Sequence, residues 1–233
     1  MTRSTWLLRG LLGVGGAILV FFAWPVANGA WQASKSNSTV YDLRSGKAVP
    51  IVDILSAVSE QNAAVADDPT AGRRLARSEL LAGLALTRDL PLTPAERRGW
   101  LTTAMSDLDF GLGNAPARGA AWARLASVRQ AVDGTSAKVV AALLMSIDTA
   151  PMVALLWPSR LRLILDNWQF FTAPQRERIG TYVVTTWRLS ADKRGFAEAI
   201  RSPLDELLVR YFLRDEPGAQ QELSQWLARF GKK

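Results

Sequence analysis

No charged residue occurs between Gly10 and Ser34, and within that stretch Leu11–Ala27 (LLGVGGAILVFFAWPVA) is the most hydrophobic run in the chain. With the preceding Thr5–Leu8 it comes close to the roughly 20 apolar residues needed to cross a bilayer core. Arg3 and Arg9 lie on its N-terminal side, and the first charge beyond it is Lys35. The positive-inside bias therefore keeps the N-terminus cytoplasmic and exports the rest. Trp6 and Trp24 sit near the two ends, where amphipathic rings favour the interface.

A cleavable signal peptide competes with this reading. Ala27-Asn28-Gly29 offers small residues ahead of Ala30 that a signal peptidase accepts, but the apolar run exceeds the usual 7–15-residue core of such peptides. Residues 1–29 are thus an anchor spanning about residues 5–27, or a signal. Asn28–Pro50 is rich in Ser, Asn and Gly, so residues 30–50 read as a linker and 51–233 as the body. For a bacterial chain this means a single-pass inner-membrane protein with a periplasmic body.

The 233 residues contain no Cys and no His. That removes disulfides, thiol nucleophiles and thiolate metal sites, together with the commonest general base and metal ligand. No cofactor motif is present: no phosphate-binding glycine loop, dinucleotide fingerprint or metal-ligand spacing. Gly13-Val-Gly15-Gly16 lies within the membrane run, where close helix packing is its reading. The net charge of +7 divides into +4 over residues 1–50 and +3 over the remainder, with signs interspersed. A nucleic-acid binder concentrates its basic residues in a stripe, so that class is set aside.

From residue 51 a helical period takes over. Ile51, Ile54, Leu55, Val58, Asn62 and Val65 share one face, and Leu81, Leu84 and Ala85 mark a second helix. Thr93-Pro94-Ala95-Glu96 and Thr172-Ala173-Pro174-Gln175 are helix starts of the capping-box kind. The first opens a stripe of Trp100, Leu101, Ala104, Met105 and Leu108, expected to end at Gly111 and Gly113. Helices through Trp122–Val132 and Val139–Ile147 follow. The next runs through Leu155–Phe171 with Pro158 interrupting it, and Ile179–Trp187 line the one after. Leu204, Leu207, Leu208, Tyr211, Leu223, Trp226, Leu227 and Phe230 are expected to face inward in the last helices. The fold class is all-α.

Pro116 and Pro151 are 35 residues apart, close to the 34-residue period of tetratricopeptide units, and Trp122-Ala-Arg-Leu125-Ala126 matches the opening of such a unit. The architecture that follows is an irregular TPR-like helical-hairpin stack behind one transmembrane helix. An irregular bundle with a coincidental proline spacing is the alternative.

Residues Ala117 to Phe230 resemble the VpsP-like accessory proteins of bacterial polysaccharide biosynthesis. The likeness rests on Ala121-Trp122-Ala-Arg-Leu-Ala126, Ala150-Pro151 leading into Leu161-Arg-Leu163, Pro174-Gln-Arg176, Trp187-Arg188 and Leu207-Leu-Val-Arg-Tyr-Phe-Leu213. It covers about half of the chain. It implies a single-pass protein with a small helical-repeat domain serving exopolysaccharide or O-antigen assembly, and it supplies no catalytic residues.

Two features remain as candidates for chemistry. Asp67-Asp68 and Asp107/Asp109 are close carboxylate pairs, but adjacent acids in a turn or a last helical turn do not converge as a glycosidase pair must. Trp157 and Trp168 are interleaved with Arg160, Arg162, Arg176, Arg178 and Arg188, a combination that suits a partner protein or an acidic glycan. These seven residues are the candidate surface. The functional expectation is a non-catalytic accessory protein docking a polytopic polymerase or ligase. Its alternative is a periplasmic glycan-binding domain or Asp/Glu-dependent polysaccharide-modifying enzyme.

Overall fold

The computed structural model describes residues 3–87, 90 and 92–230, with residues 3–12 as backbone only. Arg3, Trp6 and Arg9, on which the topology expectation partly rests, lie outside the described side chains. Among the described residues there is no strand. The helices are α1 (Arg3–Arg44), α2 (Ile51–Asp67), α3 (Ala71–Leu86), α4 (Pro94–Asn114), α5 (Gly119–Asp133), α6 (Ala137–Thr149), α7 (Trp157–Asp166), α8 (Ala173–Leu189), α9 (Arg194–Ala199), α10 (Pro203–Phe212) and α11 (Ala219–Phe230). Short 3-10 turns at Ala154–Leu156 and Trp168–Phe170 flank α7.

α1 is one unbroken helix of 42 residues, and it contains most of the expected linker. From Gly13 to Ala27 every residue is exposed, including Phe21 at 75% and Leu19 at 72%. The helix as a whole is long and apolar enough to cross a membrane. The half from Asn28 to Arg44 is part of the body instead. Gly29, Ser36 and Val40 are buried against α2, one to two turns apart. Gln61 donates from Nε2 to Ser36 Oγ at 2.7 Å, and Asn28 donates to Asp67 at 2.7 Å. The linker expectation fails because, Val40 apart, these inward residues are small or polar, so hydropathy gives little contrast between the two faces. α1 stops at Gly46 (φ +72°), whose amide donates to Leu43 O while that of Lys47 donates to Asp42 O, the paired bonds of a left-handed C-cap.

Each of the first seven helices packs on the next, and alternate helices also touch: α1 on α3, α3 on α5, α5 on α7. The row continues from α7 to α9 and α9 to α11, with α10 against α8. One hydrophobic core runs from Val40 to Leu223 through these layers.

Close approach between helices is carried by glycine at several points, Gly111 and Gly119 among them. A Cβ on Gly111 would stand 2.6 Å from the Leu75 side chain, so α4 continues through Gly111 to Asn114 rather than stopping there. A Cβ on Gly119 would collide with Ala150 Cβ. The two prolines 35 residues apart do equivalent work. Trp122 Nε1 donates to Pro116 O at 2.7 Å, and Trp157 Nε1 donates to Pro151 O at 3.1 Å. Each indole so ties the start of an odd-numbered helix to the preceding turn. Pro158 opens α7 in the first turn, where a missing N–H costs nothing, and does not interrupt it.

The α10 expectation largely fails. Leu204, Leu207 and Tyr211 are 72, 67 and 57% exposed, only Leu208 of the four packs partly on the core, and the buried residues are Val209 and Phe212 instead. Both faces of this helix are apolar, and sequence spacing does not say which one the core takes.

Candidate functional site

The seven candidate residues divide between the interior, one cleft and, for Arg178, the open surface. Trp157 is buried at the start of α7. Arg160 is fully buried and so is no part of a docking surface. Its guanidinium donates to Ser146 O (2.7 Å), Ala150 O (2.8 Å), Ser146 Oγ (2.8 and 3.1 Å) and Tyr182 OH (3.2 Å). The carbonyls are those at the C-terminal end of α6, where orphan acceptors and the helix dipole favour a cation. Arg160 therefore stands where a counter-ion would, with α6's end as its partner.

Arg162 is half-buried and structural. It donates to Ala199 O (2.7 Å) and Asp205 Oδ2 (2.8 Å) and pairs with Asp166, binding α7 to the start of α10. Burial raises the Asp205 carboxyl, but hydrogen bonds from Arg162, the Arg201 amide and Ser202 together take it below its ordinary value. Arg178 is exposed and pairs with Asp148 of α6.

Trp168, Arg176 and Arg188 do come together. They line a cleft of about 690 Å³ between α8 and α10, with Tyr211, Arg214 and Glu216 on its other side. Arg176 lies over the Trp168 ring at 5.2 Å, and Arg214 over the Tyr211 ring at 4.3 Å. Phe171 and Phe212 flank Trp168 with ring centroids at 5.8 and 5.3 Å. Arg188 grips Glu216, with Nε 2.7 Å from Oε2. That hydrogen bond holds Glu216 below the usual carboxylate range and Arg188 above its own ordinary value.

This geometry bears on chemistry in two ways. A glycosidase's general acid needs a raised pKa, whereas Glu216 is lowered. A sugar ring stacks on an open aromatic face, but Trp168 is covered by Arg176 and enclosed by two phenylalanines. The cleft carries arginines and carboxylates in equal number, Arg176, Arg188 and Arg214 against Glu177, Asp215 and Glu216. Such a mixed rim over an apolar floor suits a polypeptide segment better than a polyanion.

The paired carboxylates are each engaged by a different partner. Asp107, 1% exposed, accepts from Arg77 Nε (2.6 Å) and Nη2 (2.8 Å), and Asp109 pairs with Arg129 at 2.9 Å. Asp68 pairs with Arg73 at 2.5 Å, and Asp67 takes the Asn28 amide. No group of acids that could hold a metal ion occurs among the described residues.

The sequence does not mark Tyr211, Arg214 and Glu216 as site residues: Tyr211 belongs to the α10 stripe expected to face inward, and Arg214 and Glu216 follow that helix without a signal of their own. Comparison with known proteins finds no matching family model, no matching curated protein and no matching solved structure.

Proposed function

We propose that this chain is a membrane-anchored accessory protein, non-catalytic, whose body is a TPR-like stack of helical hairpins that docks a larger membrane protein. The observation that carries the reading is α1. The helix is long and apolar enough to cross a membrane with Gly13–Ala27 exposed, and its other half is built into the body by Gln61, Asn28 and the buried Val40. A body joined to its anchor without a flexible segment is held at the membrane surface, where the accessible partners are other membrane proteins. Alternate-helix packing supports the stack, since helix pairs in series offer extended surfaces to a partner segment.

The likeness to VpsP-like proteins supports a narrower version, in which the partner is a polytopic polymerase or ligase of bacterial exopolysaccharide or O-antigen assembly. The body is then periplasmic and residues 1–29 stay attached.

The test is purification of the tagged full-length protein from its native membranes in mild detergent, with mass spectrometry of what co-elutes. A polytopic glycan polymerase or ligase at near-equal stoichiometry is the expected result, with the N-terminal peptide still present. Elution alone, together with polysaccharide binding by the same preparation, overturns the docking reading in favour of a glycan-binding domain.

A further inference from the structure

A second groove lies away from the candidate cleft, along the seam between α3 and α5. Two contiguous cavities of about 300 and 430 Å³ share Glu79, Ala120 and Arg124. They extend along α3 from Gly72 to Leu86, about 21 Å at the helical rise. That length seats a helical segment of about 14 residues or an extended one of about six. One wall is the end of α1, at Leu43 and Arg44, and the other is Leu156 and Ser159.

The floor is open because its residues are small: Ala82, Gly83, Ala120 and Ala123 leave the helix surfaces bare between the leucines of the walls. No aromatic residue lines either cavity, so the groove offers a sugar ring nothing to stack on.

Its charge is unbalanced. Glu79 takes Arg44 at 3.0 Å and Arg124 at 2.9 Å, so two guanidiniums share one carboxylate. Arg118 adds a third positive charge at the end of the groove near Gly72. It is exposed and has no carboxylate partner among the described residues. Burial pushes the Arg124 guanidinium below its ordinary value, with Glu79 opposing and Arg44 adding to the shift. A carboxylate brought in from outside would relieve this shortage.

We infer that the groove over α3 and α5 binds a short apolar segment of a partner protein carrying an Asp or Glu, whose carboxylate sits between Arg118 and Arg124 beside Glu79. The inference rests on the docking function proposed above and supplies the chemistry of what docks. Charge complementarity selects an acidic segment, and the small, ring-free floor selects a polypeptide over an acidic polysaccharide. The groove's far end stands about 24 Å along α1 from Asn28, within reach of an extramembrane loop of a membrane-embedded partner.

The test is photo-cross-linking in intact cells, with a benzophenone amino acid at Ala120 in the groove and, in a separate strain, at Thr181 in the α8–α10 cleft. Both positions are exposed. The expected adduct at position 120 is a peptide of a membrane protein with an Asp or Glu near the cross-linked residue. Arg118→Glu, an exposed change that leaves the core untouched, lowers that yield about fivefold, the scale of one surface ion pair. Reversing the partner's acid to Lys restores it. An adduct at 181 but none at 120, or one at 120 indifferent to Arg118→Glu, overturns the groove assignment and leaves the docking function standing. A polysaccharide ladder on position 120 overturns it in favour of a glycan. No adduct at either position removes both.

Discussion

Replacing Asp107 by Ala separates two views of how the body is held together. Asp107 is 1% exposed on α4 and receives two hydrogen bonds from Arg77 of α3, with Arg74 3.8 Å away on the same helix. Deleting the carboxylate leaves the Arg77 guanidinium without its counter-ion. Breaking a fully buried pair in this way costs about 3–5 kcal/mol. Arg77 keeps 16% of its side chain exposed and holds a further bond to Asn62, so partial rehydration brings the expected cost to the lower end, about 3 kcal/mol. For a chain of this length each kcal/mol moves the midpoint by about 2–4 °C, which predicts a fall of about 6–12 °C. The assay is thermal unfolding of the full-length protein in detergent, followed by far-ultraviolet circular dichroism. The double variant Arg77→Met, Asp107→Leu should recover most of the loss, because the Arg77 charge goes with its partner and Arg74, 26% exposed, is left free to hydrate. A fall below about 2 °C for Asp107→Ala alone would refute the claim that this pair fastens α3 to α4.

Further outcomes follow from single contacts. Asp205 has a folded-state pKa below its unfolded value, so its contribution is present above the unfolded carboxylate range and is lost as pH falls through the folded pKa. Acid titration of Tm should therefore show a loss below about pH 4 that Asp205→Asn flattens. Gly119→Ala, although it favours helix by propensity, should destabilise by about 1–3 kcal/mol, since its methyl lands on Ala150 Cβ and within 3.1 Å of the Ala150 amide nitrogen. Calorimetry checks the sign. Trp157→Phe should cost about 1 kcal/mol or more through loss of the bond to Pro151 O, and Trp122→Phe less, because Trp122 is only half-buried. Equal losses would argue against burial as the difference between them.

Helix existence was legible where hydropathy and capping chemistry agreed. The capping boxes at Thr93 and Thr172 both form at the positions the sequence marks. The inward stripe of α8, from Ile179 to Trp187, is buried as its spacing requires. What failed has a common physical cause, which is that side-chain polarity does not report packing when the packed residues are small. Ser36 looks like a linker residue, yet it and Gly29, at the end of the expected anchor segment, let α1 lie close on α2. Arginine misled in the same way. The interleaving of Arg160 with tryptophans points to a surface, but the carbonyls at the end of α6 satisfy it inside. The cleft was half legible: the α8 side was marked by Arg176 and Arg188, while the α10 side was hidden by a helix apolar on both faces.

With α1 anchored as proposed, its unbroken path from lipid into the body makes it a torsional shaft. Each residue of a helix advances the chain by 100°, so one residue inserted near Ala27 would turn the whole body by about that angle about the anchor's axis. Such a change alters no packed side chain of the body. It would nevertheless swing the α3–α5 groove from one neighbour in the membrane plane towards another. Insertion of a full turn and a half would nearly reverse its bearing, and two turns would almost restore it. The azimuth of every surface on this protein is thereby set by the number of residues between lipid and body.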